Sequence, residues 1–271
     1  MSTQTYNALE GELSVRPAPT VSRAGGSNAV VLIGGYDADT ASNEVTAGEA
    51  TRVSDPTAAS EQFGESELAR ASSLVTANGV GEVYGVPVAE TTETESVTAS
   101  QSVTLSNAPV FDPTVHPEHE ITVTDTSAGV DLTVEVSYAE TLESPSEENT
   151  AYVNPIAGKV EMDSSSDYEI TYTHGDYQSA INTAADLPVR YICPLTESPS
   201  VKATTTTVLS DIAADFDFKR AVVGARPEIS PTDIGDYTPD ERDWRMVEVA
   251  PSRAEGASGP VRTAAAVCGL M

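Results

Sequence analysis

The stretch that decides the fold is Ala29-Val30-Val31-Leu32-Ile33-Gly34-Gly35. A short, continuous apolar run that glycines end is typical of a strand buried on both faces. Ser54-Asp55-Pro56 then supplies an N-cap with proline at the first helical position, which predicts a helix. A second helix is predicted from Ser66 to Asn78-Gly79, followed by a strand over 83–88. This succession of strand, helix, helix and strand predicts an α/β fold.

The same alternation returns in the last third of the chain. The predicted elements are a helix over 177–185, a strand over 188–193, a helix through Val201, Thr205, Val208, Leu209 and Ile212, a strand over 219–224, a buried strand over 244–250 and a final helix that begins at Pro260. Strands that alternate with helices predict a mixed or parallel sheet with flanking helices. The chain stops at Met271 inside an apolar helix without a closing strand, which predicts a truncated product.

Between these two parts the sequence consists of short runs rich in Thr, Val and Tyr. A period of two is the signature of strands with one solvated face. Apolar and polar residues alternate around Val130, Leu132, Val134, Val136 and Tyr138, and again around Tyr168, Ile170 and Tyr172. Asn154-Pro155 and Gly158 predict a turn between two of the strands. We therefore predict an inserted all-β domain, a sandwich or small barrel.

These patterns divide the chain into four segments. Residues 1–22 are polar and proline-broken, which favours an extended N-terminal arm over a packed element. The first half of the α/β core then covers 23–90, the inserted β domain 91–175, and the second half of the core 176–271. If the arm pairs with a neighbouring subunit, we expect its apolar residues to make the contact: Leu9, Leu13 and Val15. The alternative is a terminus without a role.

The chain is strongly acidic. Its 42 Asp and Glu against 14 Lys and Arg give a formal net charge of -28, and its only lysines are Lys159, Lys202 and Lys219. Such a surface repels nucleic-acid phosphates and anionic lipid headgroups, so neither is an expected partner. It also repels itself, which is tolerable mainly in concentrated salt, because the Debye length falls to roughly 3 Å at 1 M. We predict a halophilic protein, with an ordinary acidic cytosolic protein as the alternative.

No segment reads as a membrane anchor. Residues 1–20 carry Glu10 and Glu12 and no apolar run, which is typical neither of a secretory signal nor of an anchor. No later stretch reaches the roughly 20 apolar residues of a spanning helix. The protein is therefore expected to start as a soluble, intracellular chain. Cys193 and Cys268 lie in apolar segments far apart in sequence, which favours buried free thiols over a disulfide.

The candidate binding motifs are incomplete. Gly25-Gly26 and Gly34-Gly35 flank the first strand, but no G-x-G-x-x-G runs into a helix as pyrophosphate binding requires. His116-Pro117-Glu118-His119 holds two imidazoles, but the proline denies them a common helical face, and only His174 remains as a third histidine. A surface turn is predicted there instead. Asp37-Ala38-Asp39 resembles the start of a calcium loop but lacks the glycine and glutamate that complete one.

Catalytic constellations are not visible in the sequence either. Asp215 and Asp217 lie beside Lys219 and Arg220, where a carboxylate pair could do acid–base chemistry, although a solvated turn explains them equally well. Ser258 lacks the G-x-S-x-G spacing of a nucleophile elbow, and no histidine follows it. Few groups titrate near neutrality. We expect a protein that is not an enzyme, with no catalytic residue, cofactor or metal.

Several segments resemble contractile-tail sheath proteins. In that family a buried strand precedes a helix that ends in Phe-Gly, and a Ser-x-Leu-Ala-Arg-like helix and another strand follow. The similar segments here are Ser27 to Gly34, Asp55 to Gly64, Ser66 to Arg70 and Asn78 to Val88. The family's later strands and alanine-rich helix are similar to Phe218 to Val223, Trp244 to Ser252 and Gly259 to Leu270. A β insertion found in many tail proteins is similar to Asn154 to Gly158 and Tyr168 to Tyr177.

The resemblance implies a mechanical role. Subunits of the family form a homo-oligomeric helical sheath around a tail tube, and a baseplate signal makes the sheath contract. It implies assembly in the host cytoplasm, residence in the virion tail of a haloarchaeal virus or prophage, and no cofactor or membrane insertion. The family also carries a C-terminal arm beyond the last of these helices, so the resemblance leads us to expect a truncated product here. Two rivals stay open: a haloarchaeal surface or adhesion protein, favoured by the Thr-rich β segment, and an α/β enzyme with an unrecognised site.

Overall fold

A computed structural model describes residues 28–42, 44–214, 219–227, 243–250, 252–256 and 259–271. The first elements in chain order are β1 (Val30–Gly34), β2 (Thr51–Val53), α1 (Pro56–Phe63), α2 (Glu67–Ala77), β3 (Val83–Pro87), β4 (Glu90–Thr104), β5 (Thr122–Asp125), β6 (Val130–Asp131) and β7 (Thr133–Val136). Then follow β8 (Thr150–Asn154), β9 (Lys159–Gly175), α3 (Tyr177–Asp186), β10 (Tyr191–Pro194), α4 (Pro199–Ala214), β11 (Arg220–Gly224), β12 (Met246–Val249), β13 (Arg253–Gly256), β14 (Gly259–Arg262) and α5 (Thr263–Leu270).

The first sheet forms the centre of an α/β core. Its strand order is β12-β11-β10-β1-β3-β2, and all neighbours are parallel except the edge strand β2. Every residue of β1 is buried, and its side chains alternate between two apolar layers. Val31 and Ile33 face α3 and α4, whereas Val30 and Leu32 face α1, α2 and α5. The predicted α/β fold with a mixed sheet and flanking helices is confirmed.

The predicted helix starts are found in the structure. The Asp55 carboxylate accepts hydrogen bonds from the backbone N–H of Thr57 and of Ala58, so it caps α1. Ser66 caps α2 by accepting from the Ala69 N–H. These caps fix where α1 and α2 begin, and α2 then packs its apolar side against β1 and β3.

Residues 90–175 form a second six-stranded sheet in the order β6-β5-β9-β8-β7, with β4 paired to the other edge of β9. Along one edge of β9, β8 pairs with its first part and β5 with its second part. A register shift in β4 lies around Ala99, which has a φ of 46°. Both parts of β9 bury their even-numbered side chains, among them Met162 and Ile170, in one apolar core. The result is a barrel-like sheet inserted in the α/β fold, as the sequence predicted.

Four details of the sequence prediction are wrong. The alternation over 130–138 is split into β6 and β7, because Val130 and Asp131 pair with β5 whereas the chain from Thr133 pairs with β8. The strand predicted from 188 begins at Tyr191. The 244–250 strand lies at the sheet edge with a single neighbour, so it is mostly half-buried and Trp244 is 65% exposed. Pro260 belongs to the β13–β14 hairpin, where its missing N–H is tolerated, and α5 starts only at Thr263.

Some predictions fall on residues that the structure does not describe. The N-terminal arm, 1–22, with its expected contacts Leu9, Leu13 and Val15, lies outside the described residues. Gly25-Gly26 lies outside them as well. Among the described residues, no helix combines the length and the apolar character that crossing a membrane requires.

Candidate functional site

The parallel strands of the first sheet end together at one edge, which is where open α/β sheets usually bind ligands. β1 ends at Gly34, β10 at Pro194 and β11 at Gly224. The connection between β4 and β5 lies over part of this edge. Phe111 in that connection is 4% exposed and belongs to the same apolar cluster as Ile33. Residues 90–175, which we call the β region, therefore fill part of the usual ligand-binding edge with their own side chains.

Gly35, directly after β1, makes room for this covering connection. A Cβ atom at Gly35 would lie 2.7 Å from His116 Cε1 and 2.9 Å from Phe111 Cε1. Both ring atoms belong to rigid, buried side chains, so a larger residue would force the connection away from the sheet. The second glycine after the predicted strand thus permits close packing between the two regions.

His116 lies between two carboxylates. Its Nε2 is 3.2 Å from Glu67 Oε2, and its Nδ1 is 3.3 Å from Glu118 Oε1. The side chains of His116 and Glu67 are 3% and 2% exposed. Burial alone would lower the pKa of His116, but the hydrogen bonds to Glu118 and Glu67 outweigh it and raise that pKa to about 9. His116 is therefore protonated at neutral pH, and we call this group of three residues the His116 latch.

The latch is suited to holding two elements of the fold together. A protonated imidazole has two donors and no lone pair, so it can neither take up a proton as a base nor bind a metal ion. Glu67 is the first residue of α2, whereas His116 and Glu118 belong to the β4–β5 connection. The buried ion pair therefore joins the α/β core to the β region. Within the described ranges, no three His, Cys, Asp or Glu side chains are grouped so that they could hold a metal ion.

Further contacts reinforce this junction. The His119 ring stacks on Phe111 at a centroid distance of 4.7 Å and an angle of 21°. His119 Nε2 lies 3.3 Å from Glu90 Oε2, at the start of β4. Arg70 Nη2, on the second turn of α2, donates to the Val115 carbonyl at 3.4 Å. The connection is thus fixed to α2 and to β4 at once.

The surface turn predicted at His116 and His119 is half right. The chain does turn there, because the N–H of His116 donates to Asp112 O at 2.8 Å and that of His119 to His116 O at 3.0 Å. The turn is not on the surface, since His119 is 15% exposed and His116 less. The reason is tertiary: Phe111 and Glu67 enclose the two rings, and Glu67 comes from a distant part of the sequence.

A second buried ion pair lies farther along the sheet. Lys202 Nζ, in the first turn of α4, is 3.6 Å from Glu248 Oε1 on β12. The two side chains are 1% and 6% exposed, so each charge depends on its surroundings for stability. Glu197, also buried, packs close to Gly224 at the end of β11. This end of the sheet is therefore a packed polar layer.

An open cleft separates the β region from this layer. It has a volume of about 240 Å³. Arg226, just after β11, has its Nη1 3.3 Å from Glu140 Oε2, and Lys159 Nζ donates to the Glu140 carbonyl at 3.0 Å. The residues that line the cleft include Tyr138, Glu140, Asn154, Lys159, Pro199 and Arg226.

The other polar candidates from the sequence do not form a site. The Asp37 carboxylate accepts from the N–H groups of Asp39 and Thr40 at 3.0 and 3.3 Å, so it stabilises its own loop. His174 lies 3.7 Å from Glu93 in the second sheet, away from the latch. Three candidates lie outside the described residues: Asp215, Asp217 and Ser258.

The two cysteines are buried free thiols, as the sequence predicted. Cys193 on β10 and Cys268 on α5 belong to one apolar cluster. A hydrogen bond with Cys193, together with burial, raises the pKa of the Cys268 thiol well above its ordinary value. The Cys268 thiol therefore stays protonated. Both cysteine side chains pack as small apolar groups.

Sequence reasoning found the histidines but missed the acids that pair with them. Glu67 stands in the first turn of a predicted helix, where an acidic residue is ordinarily explained by the helix dipole. Glu90 stands at the start of a Thr-rich strand. No local signal distinguishes these two from the other carboxylates of so acidic a chain.

No family model matches this chain, and no curated protein matches it closely enough to indicate a relationship. The likeness to sheath proteins therefore stands on the sequence segments given above.

Proposed function

We propose that the protein is a structural subunit of a contractile tail sheath, which polymerises around a tail tube and contracts to drive it through the host envelope. The observation that carries this proposal is the packing of the β region against part of the carboxyl edge of the parallel sheet. In α/β enzymes that edge is where the substrate or cofactor usually binds. Here Phe111 and His116 pack into it, which suits a subunit whose two regions have to stay fixed to each other.

The junction also fits the mechanics of contraction. A sheath contracts when subunits rotate and repack as rigid bodies, and the stored energy lies in the contacts between subunits. A rigid body of this kind requires its parts to move together. The His116 latch and the stacking of His119 on Phe111 supply that rigidity between α2, β4 and the connecting segment.

The proposal includes the partners and the setting. The partners are further copies of the same chain, a tail tube and a baseplate, and the location is a virion tail assembled in the host cytoplasm. The net charge of -28 favours assembly in concentrated salt, where like-charged subunits can approach one another.

Negative-stain electron microscopy tests this proposal. The full chain would be imaged in roughly 3 M and roughly 0.1 M salt, with and without the tail-tube protein. We expect hollow tubes of uniform width at high salt, alone or around the inner tube. Dispersed single particles under all four conditions would contradict the proposal.

A surface or adhesion protein is the second candidate, and β4 is the observation that favours it. None of its fifteen described residues is buried, and its exposed side chains are mostly Thr and Ser. Such a strand could face solvent or a glycan. Protease treatment of intact host cells distinguishes the two: a surface protein is digested, whereas a cytoplasmic sheath subunit is protected until lysis.

A further inference from the structure

This protein brings two cationic side chains, Lys159 and Arg226, to the lining of one cleft. Of its three lysines, Lys202 is buried against Glu248, and Lys219 is 3% exposed and donates to the Ala185 carbonyl. Lys159 alone among them is only half-buried, at the start of β9. Its ammonium group points into the cleft between the β region and the α/β core, and Arg226 lines the same cleft.

The cleft is small and polar. Its volume of about 240 Å³ lies below the roughly 300 to 1,000 Å³ of typical small-molecule sites. Lys159 comes from the β region, and Arg226 comes from the end of a core strand. A group that enters between them would therefore meet an ammonium and a guanidinium together. A single carboxylate-bearing side chain matches both the size and the charge.

One carboxylate of the chain, that of Glu140, already forms an ion pair with a cation of the cleft. The Glu140 side chain is 80% exposed, and its Oε2 lies 3.3 Å from Arg226 Nη1 at the mouth of the cleft. The Glu140 carbonyl takes one of the three donors of Lys159. The planar guanidinium of an arginine is shaped to bind carboxylates in pairs of hydrogen bonds. An arginine of the cleft lining thus already pairs with a carboxylate.

We propose that this cleft, between Lys159 and Arg226, binds an aspartate or glutamate side chain of a second copy of the chain. Charge complementarity identifies the occupant, because 42 acidic side chains against 14 basic ones make the facing surface of another copy mainly carboxylate. The cleft is where two such repelling surfaces attract each other. This inference rests on the proposed function, which supplies the repeated contact between copies.

Substitution of the two cations tests the inference in the full chain. Arg226→Gln and Lys159→Gln each remove one positive charge from the cleft. Arg52→Gln is the matched control, because Arg52 is 62% exposed and its ion pair with Glu82 lies away from the cleft. We expect the cleft variants to raise the critical concentration for assembly at least about tenfold and the control to leave it unchanged. Sedimentation at high salt measures this concentration.

Folding has to be separated from assembly. The melting temperature of each variant is measured by circular dichroism. Arg226→Lys is added because it keeps the positive charge but lacks the planar guanidinium, which can donate two parallel hydrogen bonds to a carboxylate. We expect the lysine variant to assemble better than Arg226→Gln at an equal melting temperature. Equal assembly of wild type, Arg226→Gln and Lys159→Gln would overturn the inference while leaving the sheath proposal intact.

Two further outcomes separate the inference from the proposed function. Small oligomers that the cleft substitutions dissociate would support the cleft contact and contradict the sheath. A wild type that stays monomeric in sedimentation at every salt concentration would contradict both. Succinate serves as the probe for a free carboxylate: calorimetric binding that Arg226→Gln abolishes, with assembly unchanged, would show that the occupant is a small acid and not a second copy.

Discussion

β1 and β4 are both strands, yet they are built from opposite kinds of side chain. β1 has five residues, all buried, and it lies in the middle of the parallel sheet. β4 has fifteen residues, none of them buried, and it pairs with β9 along almost its whole length. β1 is therefore stabilised by removal of apolar surface from water, whereas β4 depends on backbone pairing and cross-strand contacts.

The difference between β1 and β4 shows which side chains stabilise each region. In the α/β core, apolar side chains enter two layers on opposite faces of one sheet. In the β region the buried residues include Met162 and Ile170 on β9, and β4 contributes mainly polar side chains. The two regions meet at the His116 latch and at the Arg70–Val115 and Arg226–Glu140 contacts, so we expect the latch to contribute to the coupling of their unfolding.

The largest effect is expected from removal of the latch histidine. His116→Ala leaves the carboxylate of Glu67 buried without its cation, which typically costs about 3 to 5 kcal/mol. Chemical denaturation at high salt measures the loss of unfolding free energy. If the latch couples the regions, we also expect the single transition to become two.

His174→Ala is the control for that variant. His174 is 18% exposed and lies 3.7 Å from the partly exposed Glu93, so removal of this ion pair should cost about 1 kcal/mol or less. An equal loss of unfolding free energy in the two variants would show that the burial of His116 adds nothing to the stability that its ion pair contributes. The double variant Glu67→Gln/His116→Gln should recover part of the loss, because no charge is then left buried.

The next largest effect is a dependence of stability on pH. The pKa of His116 is about 9 in the folded chain and about 6.5 when the residue is unfolded and free of its partners. A raised pKa stabilises the folded state fully below the unfolded pKa, and this contribution is lost as the pH rises from about 6.5 through about 9. The expected loss is on the order of 3 kcal/mol.

Denaturation midpoints between pH 6 and pH 10 would measure this loss. The groups that face His116 are Glu67, Glu118 and, through the stacked Phe111, His119. In His116→Gln the part of the pH dependence above neutrality should disappear. An unchanged profile in that variant would assign the titration to another group.

A smaller effect is expected at the glycine under the latch. Gly35→Ala places a methyl group 2.7 Å from His116 Cε1, and strain of this kind in a packed core costs about 1 to 3 kcal/mol. Gly81→Ala is its counterpart, since a Cβ there meets nothing within 4 Å. Thermal melting should separate the two variants, and similar melting temperatures would show that the connection can move away from the sheet at little cost.

The contrast between β1 and β4 also explains what the sequence could reveal. The run around Leu32 and the caps Asp55 and Ser66 are local signals, and each predicted its element correctly. The extent of β4 was not predicted, because a Thr- and Glu-rich segment becomes a strand only through pairing with β9. Only the bounds of the whole inserted segment, 91–175, were predicted, from the change in composition along the chain.

The junction could be predicted even less. His116 and Glu67 are 49 residues apart in the chain, and their contact follows from how two sheets pack together. The sequence displayed the two histidines and the glycine pair separately, but no spacing rule connects them. Contacts between regions of different architecture are the part of a fold that local patterns do not encode.

The smallest effect concerns the way in which β4 is held to β9. The hydroxyl groups of Thr94 and Thr171 face each other across the two strands at 2.9 Å. Thr94→Val keeps the shape and strand preference of the side chain and removes only this hydrogen bond, so we expect a loss between about 0.2 and 1 kcal/mol. Thr91→Val is the matched control on the same exposed strand, opposite His174. A double-mutant cycle with Thr171→Val measures the coupling directly by denaturant unfolding. If the coupling is zero and Thr91→Val behaves like Thr94→Val, then backbone pairing alone holds β4, and the cross-strand hydroxyl groups are bystanders.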